Sequence, residues 1–141
     1  MSYGSHVQGI IDSVVTVVKT ATSLGNRVYP DYIIEIDTFP AAMVRIQGDR
    51  QTARGPRVTQ HETSIKIEVV MLGQGTEAMQ DLLIGYVGEV IDKLEVTPRT
   101  LSNAAINNVE VDGVEYSISP RDQAISYYAH IAFRVISIRN V

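Results

Sequence analysis

Two stretches of the sequence alternate between apolar and polar residues along most of their length. They are residues 61–72, HETSIKIEVVML, and residues 124–140, AISYYAHIAFRVISIRN. Successive side chains of a β-strand point to opposite faces of its sheet, so this period predicts two strands that each bury one face. The expected buried positions are Thr63, Ile65, Ile67, Val69 and Met71, then Ile125, Tyr127, Ala129, Ile131, Phe133 and Val135. A shorter alternation in residues 41–47 predicts a third strand.

Two other stretches, residues 6–24 and 75–94, have apolar residues at steps of three and four. That spacing places the apolar side chains on one face of an amphipathic helix. Ser5 is the expected N-cap of the first helix and Gly25 marks its expected end, while Thr76 is the expected cap of the second. The apolar positions are Val7, Ile10, Ile11, Val14, Val18 and Ala21, then Met79, Leu82, Leu83, Tyr86, Val87, Val90, Ile91 and Leu94.

Three further segments are predicted to connect these elements. Residues 26–40, with Pro30 and Pro40, predict an irregular crossing that contains a short strand near residues 33–36. Residues 48–60, GDRQTARGPRVTQ, predict a long loop at the tip of a hairpin, disordered in a free subunit. The Asp112-Gly113 pair, flanked by alternating apolar residues, predicts a two-residue hairpin turn.

The resulting order is helix, two strands, helix and three strands. This order favours an α+β fold, with a largely antiparallel sheet, two amphipathic helices packed on one face and a long hairpin loop. The length of 141 residues predicts a single domain over residues 1–141.

Composition restricts the classes of function. The chain has no cysteine, which excludes disulfides, thiolate nucleophiles and cysteine-bound zinc. The net charge is −4; residues 48–57 hold three arginines and one aspartate, or +2, so the rest carries −6. A broad basic face for nucleic acid is therefore not expected. The N-terminal residues lack the pattern of a signal peptide and no apolar run reaches the length of a membrane span, so we expect a soluble, intracellular chain without a membrane partner.

The sequence contains no recognisable catalytic or metal-binding motif. His6, His61 and His130 have no metal-ligand spacing, and we expect each at the surface or at an interface. No serine lies in a GxSxG pattern, and LGQGTEAM, residues 72–79, lacks the lysine of a phosphate-binding loop. The carboxylates Glu62, Glu68, Glu110 and Glu115 are expected on the solvent side of strands. We therefore expect no catalytic residue, no cofactor, no metal and no enzyme activity.

Arginines are the candidate interaction residues, namely Arg45, Arg50, Arg54 and Arg57. The planar guanidinium suits bidentate recognition of carboxylate or phosphate, and the segment uses arginine to the exclusion of lysine. Contact with acidic protein surfaces, contact with nucleic acid and an idle solvated loop all remain open here. A Pro-Arg dipeptide occurs at residues 56–57, 98–99 and 120–121, and the sequence leaves open whether these turns share one edge of the sheet.

The order of elements is similar to that of one protein family. An amphipathic helix, a proline-bearing crossing (YPDYIIEIDTFPAAMVRI), a hairpin with a polar tip, a second helix (EAMQDLLIGYVGEVIDKL) and a final strand group (YYAHIAFRVISIRN) follow each other. Over nearly the whole chain this resembles the tail terminator proteins of long-tailed bacteriophages and phage-like particles. The resemblance consists of element order, length and composition, without a diagnostic motif.

The resemblance implies a virion structural protein at the head-proximal end of the tail, assembled in the host cytoplasm. Such proteins form a homohexameric ring that caps the tail tube and joins it to the head connector or completion protein, while DNA passes through without specific binding. The family has no catalytic residues to carry over, and its contacts with the tube correspond only by element to residues 45–60.

Other functions remain open at this stage. They are a head–tail completion or neck protein of the same size, a small nucleic-acid-binding module that uses residues 50–57, and a small enzyme acting on a carboxylate or phosphate ligand. For a ring, the subunit contact is expected to include Tyr128, Ile136 and Ile138, which the alternation predicts to be exposed.

Overall fold

The computed structural model describes residues 1–21, 23–30, 38–73, 77–121 and 124–141. The elements are α1 (Tyr3–Val18), β1 (Val28–Tyr29), β2 (Ala41–Gly55), β3 (Val58–Gly73), α2 (Glu77–Leu94), β4 (Ile106–Arg121) and β5 (Ala124–Asn140). The strands form one sheet in the order β1-β2-β3-β5-β4, in which β1 is parallel to β2 and the other pairs are antiparallel. The α+β class predicted from the sequence is confirmed.

Strand β3 lies at the centre of the sheet and is paired on both sides. It pairs with β5 from Val58 to Gly73 and with β2 from Val58 to Val70. Its 16 residues correspond to a length of about 50 Å at the usual rise per residue. Because a strand keeps its period of two, this long pairing keeps one set of side chains on the helix-covered face of the sheet. We call the other face, which neither helix covers, the open face.

The helix-covered face carries the core. Both helices and alternate residues of β3 and β5 contribute to a single apolar cluster, as the sequence predicts. Fully or nearly fully buried members are Ile10, Val14 and Val18 of α1, Leu83, Val87, Val90 and Leu94 of α2, and Ile65, Ile67, Ile131 and Phe133 of the sheet. Leu82, which the helical spacing includes, is instead 45% exposed.

Helix α1 begins and ends earlier than predicted. Its N-cap is Ser2, whose Oγ accepts a hydrogen bond from the backbone N–H of Ser5 at 3.2 Å, so Ser5 is not the cap. After Val18, hydrogen bonds between residues three apart form successive turns, and these turns lead into Gly25 with φ +52°. The predicted strand near residues 33–36 and the Thr76 cap lie outside the described residues.

The prediction of a long loop at residues 48–60 is wrong. Strand β2 continues to Gly55, β3 begins at Val58, and only Pro56 and Arg57 form the turn. Strand β5 also flanks β3 down to the pair Val58–Asn140, so the hairpin end is part of the sheet and not a disordered tip. An apolar pattern does not detect the polar residues of these strands. They nevertheless pair across the strands, as the contacts of Asp49 described below show.

The predicted turn at Asp112-Gly113 is also wrong, and the sheet has two long C-terminal strands instead of three short strands. Strand β4 runs through this pair with a register shift between Val111 and Gly113. A β-bulge of this kind adds a residue without ending the strand. The Asp112 carboxylate accepts hydrogen bonds from Nε of Arg134 on β5 at 3.0 and 3.2 Å, which holds the bulge to its neighbouring strand.

Two isoleucines on neighbouring strands test the packing. We expect Ile131→Ala to lower the free energy of unfolding by about 2–5 kcal/mol, because Ile131 is fully buried and the substitution leaves a cavity. Ile118→Ala should lower it by less than about 1 kcal/mol, since Ile118 is 60% exposed. Chemical denaturation of both variants measures the difference, and equal losses would contradict the assigned register.

Candidate functional site

A buried polar cluster lies at the hairpin end of the sheet, beneath the first turns of α1. The Asp49 side chain contacts His61 Nδ1 through Oδ2 at 2.7 Å and accepts a hydrogen bond from Thr63 Oγ1 at 2.8 Å. Arg139 donates through Nε to His61 Nε2 at 3.0 Å. Because Nε2 accepts this bond, Nδ1 carries the ring proton and donates a hydrogen bond to Asp49. The cluster therefore joins β2, β3 and β5 through side chains.

His6 of α1 extends the cluster to the helix. Its Nε2 lies 2.8 Å from Ser137 Oγ, and its ring centroid is 4.7 Å from that of His61. His6, His61 and Ser137 are all nearly inaccessible to solvent. The prediction of surface or interface positions for His6 and His61 is wrong. The sequence held a signal for His61, because it shares the odd-numbered side of β3 with the buried Thr63 and Ile65.

These side chains do not form a nucleophile–base–acid chain. The histidine beside Asp49 is His61, whereas the histidine beside the Ser137 hydroxyl is His6. The second nitrogen of His61 is occupied by Arg139. Within the described ranges, no group of three or more His, Cys, Asp or Glu side chains is placed to hold a metal ion. The arrangement is suited to fixing α1 and three strands relative to each other.

The open face carries a second polar network, centred on Arg134 of β5. Its guanidinium contacts Glu62 of β3 at 2.6 Å, Glu110 of β4 at 2.8 Å and Asp112 of β4 at 3.0 Å. Hydrogen bonds to Glu62 and Asp112 raise the pKa of Arg134 above its ordinary value. One arginine thus meets three carboxylates, which leaves an excess of negative charge on the β4 side of this face.

The candidate arginines lie on β2 and in its turn. Arg45 pairs in register with Lys66, and Arg50 pairs with Glu62, so both lie on the open face. Arg54 donates to Gln60 Oε1 at 3.2 Å, and Arg57 occupies the turn. Within the described part of the chain, the guanidinium of Arg50 makes no hydrogen bond or ion pair, and Arg50, Arg54 and Arg57 are exposed. The structure brings three of the four onto one strand.

Charge is consequently sorted across the open face. The β2 side carries Arg45, Arg50 and Arg54, and the β4 side carries Glu110, Asp112 and Glu115. Glu62, Lys66 and Glu68 lie between them on β3, as expected for solvent-side positions. His130 of β5 lies on this face as well, with Nε2 3.8 Å from Glu68. Tyr128, Ile136 and Ile138 also lie here, but they are half-buried and not fully exposed as predicted.

The Pro-Arg dipeptides do not share one edge of the sheet. Pro56-Arg57 forms the β2–β3 turn, beside the end of β5, whereas Pro120-Arg121 ends β4 beside the start of β5. These two turns are therefore at opposite ends of the sheet. Arg99, in the third dipeptide, follows α2 and donates to Glu95 at 3.0 Å.

Acidification should destabilise the fold through His6. Burial lowers the pKa of His6 below its ordinary 6.5. Electrostatic interaction with His61 and the positive charges of Arg139 and the N-terminal amine act in the same direction, whereas Asp49 opposes it. The unfolded chain therefore binds this proton at a higher pH than the folded chain. The stability from neutral His6 is complete above the unfolded pKa and declines as pH falls below it.

Thermal unfolding between about pH 7.5 and about pH 5.5 measures this effect. We expect His6→Gln to reduce the pH dependence of the unfolding midpoint, because glutamine does not titrate. Identical slopes for the wild type and His6→Gln would contradict the assignment.

Comparisons with known proteins do not assign the chain to a family. A scan against models of known protein families found no match, and neither did a search of curated proteins. Neither of the two helices in the described residues is long and apolar enough to cross a membrane.

Proposed function

We propose that the chain is a structural virion protein, a ring-forming tail terminator that caps a phage tail tube and joins it to the head connector. In this role the subunits form a homohexamer at the head-proximal end of the tail, and DNA passes through the ring without specific binding. The protein works by presenting surfaces to other proteins, so its residues act in contact and not in catalysis.

The observation that carries the proposal is the asymmetry of the sheet. Both helices cover one face, and the face with the sorted charges has neither helix on it. Along that face the half-buried Tyr128, Ile136 and Ile138 accompany the charged side chains. Polar rims around apolar contacts are usual in interfaces between proteins.

The setting of the arginines favours protein carboxylates over nucleic acid. Arg50 lies directly opposite Glu62 in the strand register, and the Arg134 network places three carboxylates on the same face. A surface that binds phosphates has clustered cationic side chains without carboxylates beside them. A contact with an acidic protein surface suits the mixed charge of this face better.

Reversing the exposed arginines tests the proposed role. We expect Arg50→Glu/Arg54→Glu/Arg57→Glu to reduce head–tail joining at least about tenfold, because like charges facing each other across an interface cost several kcal/mol. The fold should remain, since surface substitutions change stability by roughly 0.5 kcal/mol or less each. Joined particles are counted by electron microscopy after adding the purified variant to particles that lack this protein.

Lys19→Glu/Lys93→Glu is the charge control, since these lysines belong to the helix layer and not to the open face. It should join heads and tails as the wild type does. Normal joining by the arginine variant would contradict the role of the arginines. Oligonucleotide binding by the wild type that weakens steeply with salt would favour the nucleic-acid alternative instead.

A further inference from the structure

The two edges of the sheet differ in charge, and each has a stretch that no strand of the described residues pairs with. Strand β1 covers β2 only at Ala42 and Met43, and no strand in the described ranges pairs with the outer edge of β2 beyond them. In the same part of the chain, no strand pairs with the outer edge of β4, where the Arg99 side chain donates to the Val109 carbonyl at 3.4 Å. An uncovered edge presents backbone N–H and C=O groups to another strand.

We propose that copies of this chain join head to tail, with the β2 edge of one copy pairing with the β4 edge of the next. This inference rests on the proposed function, because it names the subunit contact of the ring. The occupant of each edge is a second copy of the chain.

Strand direction fits this contact. Strands β2 and β3, β3 and β5, and β5 and β4 are each antiparallel, so β2 and β4 of one subunit run in opposite directions. Copies related by rotation about an axis along the strands keep their directions. The β4 of one copy then lies antiparallel to the β2 of the next, and the sheet continues with its own pairing type. A head-to-tail contact closes into a ring when the rotation permits it.

Charge complementarity selects the second copy as the occupant. The β2 edge brings Arg50 and Arg54, both exposed, and the β4 edge brings Glu110 and Asp112, whose shared Arg134 leaves negative charge in excess. The positions along the strands also agree. Across the sheet, Arg50 is in register with Glu62, Ile136 and Asn108, and Asn108 is two residues from Glu110. The same edge paired with itself would place like charges together, which disfavours a two-fold contact.

Three exposed apolar residues lie on the helix-covered side of the edge strands, and one of them lies within the proposed contact. Ile46 on β2 is 44% exposed, and Tyr116 and Ile118 on β4 are 50% and 60% exposed. These three side chains lie on the two edge strands, at positions where the helices do not bury them. In the in-line pairing Ile46 lies at the level of Val111 and is covered, whereas Tyr116 lies at the level of Ala42, which β1 already covers, and Ile118 lies beyond the end of β2.

Site-specific cross-linking tests the contact in the purified chain, because its lack of cysteine removes all background. Thr52 on β2 and Asn107 on β4 are both exposed and lie at nearly the same level of the sheet. We expect a bismaleimide linker to join Thr52→Cys chains to Asn107→Cys chains when the two are mixed, and to join neither variant to itself. Absence of the mixed product over a concentration series, or self-linking of either variant, overturns the inference.

Charge exchange tests the electrostatic part. Arg50→Glu/Arg54→Glu makes the β2 edge acidic like the β4 edge. Asn107→Lys/Glu110→Lys places basic residues on the β4 edge, opposite the basic β2 edge, while Arg134 keeps Glu62 and Asp112. Each variant alone should assemble at least about tenfold less than the wild type, and an equal mixture should recover rings of alternating subunits. Circular dichroism and thermal melting check that both fold. No recovery by two folded variants contradicts the inference.

The edge contact and the proposed function can fail separately. If both reversed variants form normal rings and head–tail joining still depends on this chain, the edge contact is wrong and the proposed function stands. If mixing restores rings but the wild-type chain neither caps tubes nor joins heads, the proposed function is wrong and the edge contact stands.

Discussion

The buried pair of Asp49 and His61 is the interaction on which the hairpin end depends. Asp49 on β2 meets His61 and Thr63 on β3, and His61 in turn accepts from Arg139 on β5. A slip of one residue would send His61 to the open face and leave the Asp49 carboxylate buried without its partners. Leaving a buried carboxylate without its hydrogen-bond partners typically costs at least about 1–3 kcal/mol, so this polar contact fixes a register that apolar packing alone would not specify there.

The position of the arginines follows from that register. Because Asp49 faces the helix-covered side, Arg50 falls on the open face opposite Glu62. The same period along β5 places Arg134 on the open face, between Glu62 on one side and Glu110 and Asp112 on the other. The strand register thus determines both the buried cluster on one face of the sheet and the charged surface on the other.

The sequence predicts the core well and the polar ends poorly, for physical reasons. The alternation of Ile65, Ile67 and Val69 and the helical spacing of Ile10 and Val14 report burial directly, and these residues form the core. The strand segments 48–55 and 58–60 have polar residues on both faces, so no apolar period reveals them. Its stability comes from contacts with residues far along the chain, which a local pattern does not contain.

The Asp112-Gly113 pair and the Arg134 network also show that local patterns do not predict features that depend on pairing with distant strands. A two-residue turn signal is local, and here the long pairing with β5 converts it into a bulge. The candidate arginines could be named from the sequence, but their shared face depends on the register shift between Ile46 and Gly48. The grouping of Arg134 with three carboxylates depends on the strand order, since β5 lies between β3 and β4 although α2 and β4 separate it from β3 in sequence.

A sheet with one helix-covered face and two unlike edges is suited to repeating itself around an axis. An electron cryomicroscopy reconstruction of the chain assembled at the end of a tail tube tests it most directly. If the edges pair as proposed, the reconstruction will show a closed ring in which β2 of each subunit runs antiparallel beside β4 of the next. A ring whose subunits meet through α1 or α2, with both sheet edges free, would contradict it.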